Sequence, residues 1–160
     1  MKSLAAILLL LVGCGPTVVD PDAVDPLFAV GAEYQDWYRV DTTEPVPGHG
    51  DTYRIIYANE LAREESNTTY ERGSIIVKEV HDRDGDQPGA LRYIGVMRYM
   101  AQSEAPDGVE LGRPTELPPL AGWLFTYLPE SIESDEEYRS SCWDECHVAA
   151  PEGGAFLDFR

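Results

Sequence analysis

Apolar residues fall along this chain in three kinds of stretch, and each predicts a different element. The first kind is a block: Leu4 to Val12 runs without a polar residue, separated from Lys2 by Ser3. So short a run does not cross a bilayer as a permanent helix, and a positive residue followed by an apolar core and small residues reads as an export signal. The second kind has a helical period. In EYQDWYRVD, from Glu33, the rings of Tyr34, Trp37 and Tyr38 share one helical face, which predicts a helix opening the folded domain. Ser134-Asp135-Glu136-Glu137 fits a capping box and predicts a second helix running through Cys142 to Cys146. The third kind is strand-like. TYRIIYAN (52–59), GSIIVKEV (73–80), ALRYIGVMRYMA (90–101) and GWLFTYL (122–128) are rich in β-branched and aromatic residues. HDRDGDQPG (81–89) reads as a turn-rich connection, and SEAPDGVELGRPTELPPLA (103–121) as a long loop. Helix, strands, helix predicts an α+β fold: a mainly antiparallel sheet with an N-terminal helix and a C-terminal helix that carries the cysteines.

The first residues also bear on location. Leu11-Val12-Gly13-Cys14 resembles a bacterial lipobox, in which the leader is removed and the cysteine becomes the lipidated first residue. The chain then divides into a leader (1–13), a lipidated tether (14–32) with three prolines, and a folded domain (33–160). Acyl chains on Cys14 would hold the protein to the membrane by buried methylenes, without a span. Gly15 gives no inner-membrane retention signal, so the expected place is the periplasmic face, at the outer membrane.

Charge narrows the partners. With 12 basic and 29 acidic residues the net charge is −17, which repels phosphate and argues against nucleic acid. A small ligand or a basic protein is compatible with it.

Cysteine usage then becomes informative. Three cysteines are awkward for an exported chain, but lipid on Cys14 leaves one pair, Cys142 and Cys146, with His147 directly after. A bare dithiol does not persist in an oxidising compartment. Covalent haem, a disulfide and a zinc site each satisfy the pair. For haem, both thiols add to vinyl groups and the adjacent histidine lies under the iron. The usual spacing is C-x-x-C-H, whereas this chain reads C-x-x-x-C-H, so the intervening segment is expected to bulge. A disulfide would close a very small loop and stabilise little. Zinc would need a fourth ligand from His49 or His81. His49, in a Pro/Gly turn, reads as a surface histidine.

Taken together, several segments are similar to the cytochrome P-460 family and its beta-type cytochrome c-prime relatives. They are YQDWYRV, HGDTYRIIYAN, YERGSIIVKE, VMRYM, AGWLF and the terminal cysteine–histidine pattern before FLDF. The resemblance implies a haem-binding, sheet-rich domain, often dimeric, with covalent haem c on Cys142 and Cys146. His147 is then the metal ligand, and the opposite axial position is open. It further implies oxidation of hydroxylamine or binding of nitric oxide, with electrons passed to an acceptor protein. Lys78 falls where the enzymes of the family carry a lysine linked to the haem ring. Arg54 is placed to orient a bound ligand or meet a propionate, and Glu104 is the candidate proton acceptor. Met97 and Met100 read as core filling rather than sixth ligands. The alternatives are a nitric oxide-binding cytochrome without catalysis, and a haem-free domain with a Cys142–Cys146 disulfide.

Overall fold

A computed structural model describes residues 28–46, 48–63, 70–113, 121–150, 153–157 and 159. The leader, Cys14 and most of the tether lie outside the described residues, as does 114–120 of the long loop.

Among the described residues six antiparallel strands form one sheet in sequence order: β1 (Tyr38–Thr42), β2 (Thr52–Ala58), β3 (Ile75–Asp84), β4 (Gln87–Ala101), β5 (Ala121–Leu128) and β6 (Glu137–Tyr138). Every connection joins neighbours, as hairpins allow without a crossover. One short helix follows, α1 (Ser140–Glu145), and continues into a 3-10 turn at His147–Ala149.

This corrects the α+β expectation. The antiparallel sheet is present, but the N-terminal helix is not. Residues Ala32–Asp36 make a single 3-10 turn that buries only Tyr34, and the chain is extended from Tyr38 because β1 pairs with β2. At the other end, the predicted capping box does not start a helix. Glu137 and Tyr138 give their backbone to the edge of β5, and Glu136 is held by Arg98, so the helix begins only at Ser140. The segment 81–89 is also no loose connection. Strands β3 and β4 continue through it as a hairpin, out to the Asp84–Gln87 pair, and Gly85 turns the chain with φ of 60°.

Alternation divides the sheet into two faces. Register aligns Val40, Ile56, Lys78, Gly95 and Tyr127 in one row across five strands. Beside it lies a second row of Ala58, Ile76, Met97 and Phe125. The opposite face carries Ile55, Tyr57, Ile75, Val77, Ile94, Val96 and Leu128, packed under Tyr34. Phe28, assigned to the tether by sequence, is 2% exposed and packs with Met100, Leu111 and Leu124 on that face.

Candidate functional site

The chain closes one face of the sheet with its own C-terminus. Trp143, in the middle of SSCWDECHVA, is the anchor. It is 8% exposed and packs on Phe125, in one core cluster with Ile56, Ile76, Met97 and Trp123. Gly112 and Gly154 make room for it, since a β-carbon on either would run into its ring. With Trp143 pointing inward, Cys142 and Cys146 turn to the same side of α1. They are four residues apart, one helical turn, and the Cys146 N–H donates to the Cys142 carbonyl. The three residues between the sulfurs are Trp143, Asp144 and Glu145, which lie in α1. The two sulfurs are not bonded to each other.

His147 follows on the 3-10 turn and is 7% exposed. Its Nδ1–H donates to the Gly154 carbonyl at 2.6 Å, and its ring lies between those of Phe125 and Phe156. That bond fixes the tautomer and leaves the Nε2 lone pair unprotonated. Burial pushes the His147 pKa down to about 4, so the imidazole is neutral at ordinary pH.

Between this wall and the sheet lies a cavity of about 300 Å³. Its lining is largely apolar, from Ile56, Ile76, Met97, Phe125, Leu157 and Phe159. The polar groups on the sheet side are few. Arg54 is 3% exposed and donates to the Glu44 carbonyl, but its Nε finds no partner among the described residues. Desolvation lowers its pKa. Lys78 is half-buried at the centre of the sheet beside Gly95, where a β-carbon would meet only the Lys78 side chain. Desolvation by the cavity walls pushes Lys78 down to about 8. Apart from Lys2 it is the only lysine of the chain, the other cations being arginines. Its Nζ is 2.7 Å from His49 Nε2, and His49 Nδ1 is 2.8 Å from the Tyr93 hydroxyl.

Sequence-selected residues thus divide. Arg54, Lys78, Cys142, Cys146 and His147 converge on the cavity, and Met97 lines it as core. Met100 packs on the other face. Glu104 is not among the lining residues. It accepts from the Ala101 N–H and pairs with Arg72, which lowers its pKa. His49 is not a surface histidine but a cavity residue, and Tyr93 was not singled out at all, although it shares the alternation of Gly95 and Met97. His81 lies away from the cysteines, bonded to Glu79 and the Gly89 carbonyl. Among the described residues, no cluster of three or more His, Cys, Asp or Glu side chains is arranged to hold a bare metal ion.

The donor set fits haem. Two sulfurs share one side of a helical turn, a neutral imidazole offers its Nε2, and the enclosing walls are mostly apolar. The unpartnered Arg54 Nε is a buried donor suited to an anionic group.

No curated protein and no solved structure matches the chain. The family model described as Cytochrome P460 matches residues 31–154. That span takes in the whole sheet, the helical turn of the two cysteines and His147, and so the chain belongs to the cytochrome P460 family, as a haem protein.

Proposed function

We propose that the chain is an exported, lipid-anchored protein carrying haem c, at which a small nitrogen ligand would bind. When bound, haem supplies an iron that accepts such a ligand and exchanges electrons. The protein's residues supply the rest. Cys142 and Cys146, both lining the cavity, would hold the haem covalently through their sulfurs. His147 would offer its Nε2 to the iron, kept in register by the Gly154 carbonyl and the Trp143 anchor. Arg54 would offer its free Nε to a propionate or to the bound ligand, and Lys78 lines the cavity from the sheet. The apolar lining keeps bulk water away. Glu104 receives no part, because it is engaged with Arg72.

Hydroxylamine oxidation is the activity favoured, with electrons passing to a protein of basic surface, attracted by the net charge of −17. The observation that carries the reading is His147, its Nδ1 occupied, facing a cavity shared with two thiols and the sheet's one lysine.

The test is expression with a cytochrome c maturation system. The expected product is red, keeps its pigment through acid–acetone extraction, and has the intact mass of chain plus haem. A colourless chain whose two C-terminal sulfurs are bonded to each other defeats the reading. A second reading, nitric oxide binding without turnover, draws on the engagement of the Lys78 amine by His49. A red-shifted ferrous Soret band, lost in Lys78→Ala, marks a ring-linked lysine and the oxidase; an ordinary band marks the carrier.

A further inference from the structure

A short turn crosses the rim of the cavity. Between β1 and β2 the chain contributes Glu44, Val46, Gly48 and His49 to the cavity lining. Gly48 and Gly50 are exposed, with left-handed φ angles of 81° and 61° that suit glycine, whereas His49 between them is half-buried. The imidazole therefore stands at the boundary between solvent and cavity. The turn touches both walls. On the sheet side, His49 Nδ1 is 2.8 Å from the Tyr93 hydroxyl of β4 and Nε2 is 2.7 Å from Lys78 Nζ of β3. On the C-terminal side, Gly48 lies against Cys146, since a β-carbon there would stand 3.4 Å from Sγ. A turn that meets two facing walls spans the opening between them.

We propose that His49 is a specificity-determining gate on this cavity, with Tyr93 as the positioning residue that holds it shut. The proposal rests on the functional reading above and narrows its ligand class to nitrogen compounds no larger than hydroxylamine. Bulkier relatives enter only when the turn lifts. Three features let it lift. The glycines on either side of His49 absorb a change of backbone angle at little steric cost. The bond that closes the turn is long, with the His49 N–H meeting the Val46 carbonyl at 3.4 Å. The imidazole is held through hydrogen bonds, each of small net strength because water replaces a lost partner. The gate does not depend on a free amine at Lys78. With that amine joined to the ring, the Tyr93 hydroxyl still holds Nδ1, so the gate serves the oxidase and the carrier alike. Behind the turn, the Arg54 guanidinium donates to the Glu44 carbonyl and fixes the point from which it swings.

Two measurements test the gate. The first uses the full, haem-matured chain and compares nitric oxide with nitrosobenzene, which carry the same N=O group without and with a ring. The association rate of nitrosobenzene relative to nitric oxide is expected to rise roughly tenfold in His49→Ala, and less in Tyr93→Phe. His49→Gln, which keeps a side chain able to bond Tyr93, should return the ratio part of the way. A ratio unchanged in His49→Ala overturns the gate and leaves the haem reading intact.

The second measurement needs no iron. In the full chain produced without haem and kept reduced, Cys142 is exposed and Cys146 is partly covered, with Gly48 against its sulfur. Both are labelled with a maleimide, and cleavage after Glu145 separates their peptides for reading by mass. In His49→Ala and in Tyr93→Phe the Cys146 rate is expected to rise roughly fivefold, the order of one lost hydrogen bond, while the Cys142 rate holds. Unchanged Cys146 rates in both variants overturn the gate. So does an equal rise at both cysteines, which marks a general loosening of α1. A chain that matures without haem defeats the functional reading and leaves the labelling of Cys146 to decide the gate.

Discussion

Two arginines are sealed into opposite faces of the same sheet, each 3% exposed. Arg98, on the face away from the cavity, has a partner for every nitrogen. Its Nε donates to the Phe28 carbonyl at 2.8 Å, Nη1 to Thr126 at 2.7 Å and Nη2 to Glu136 at 2.5 Å. Arg54, on the cavity face, has among the described residues one backbone carbonyl and no partner for its Nε. A structural charge is paired where it is buried, because desolvating it alone costs several kcal/mol. An incompletely satisfied buried cation beside a cavity marks the face that a ligand completes. The same contrast runs through the neighbouring groups. Glu79 behind the sheet accepts from Tyr34, Gln35 and His81, closing its own network. Lys78, the next residue along, faces the cavity with one imidazole beside it.

The comparison breaks most sharply at the wall that makes the cavity. Trp143→Ala is expected to cost about 3–5 kcal/mol in urea unfolding and to loosen both thiols and His147 from the sheet. A variant that unfolds like the natural chain would mean that α1 is held by something else. Next in size is Arg98→Met, expected to cost about 3 kcal/mol because Glu136 loses its charge partner. Arg54→Met and Lys78→Met should do the opposite in the chain produced without haem, gaining about 1–2 kcal/mol each while weakening ligand chemistry. If Arg54→Met destabilises as much as Arg98→Met, the cavity face is structural after all.

The smallest effect is the pH dependence of stability. Unfolded histidine titrates near 6.5, whereas burial lowers His49 to about 3 and His147 to about 4. The unfolded chain therefore binds more protons between these values, and stability falls as pH drops from about 6.5 toward 4. In the chain produced without haem, His49→Gln should remove up to one proton from that slope, seen as a shallower fall of Tm with pH.

Much of the site was legible because its chemistry is local. Cys142, Cys146 and His147 are within six positions, and four-residue spacing in a helix aligns the two sulfurs without help from the rest of the fold. Lys78 stood out because a lysine among Ile75, Ile76 and Val77 is costly to bury without a purpose. The four apolar strands were legible for the same local reason. Strands β1 and β6 were not, because YRVDT and EY owe their extended form to backbone pairing with β2 and β5 rather than to any pattern of their own. The helical face read into Tyr34, Trp37 and Tyr38 failed in the same way: pairing with Ala58 draws Tyr38 into the sheet.

By itself the sequence determined the cysteine–histidine turn, the central strands and an isolated lysine between apolar neighbours, since each depends on residues a few bonds apart. Tertiary structure alone decided that His49 joins Lys78 and Tyr93, and that Arg54 faces a cavity while Arg98 meets a carboxylate. Both arginines sit in strands with apolar neighbours on either side, and only cross-strand register separates them. Arg54 aligns with Val80 and, across β4, Tyr93, whereas Arg98 aligns with Leu124 on the reverse face. Register is fixed by pairing between distant segments, and a period of two sends a side chain to one face or the other with a shift of a single residue.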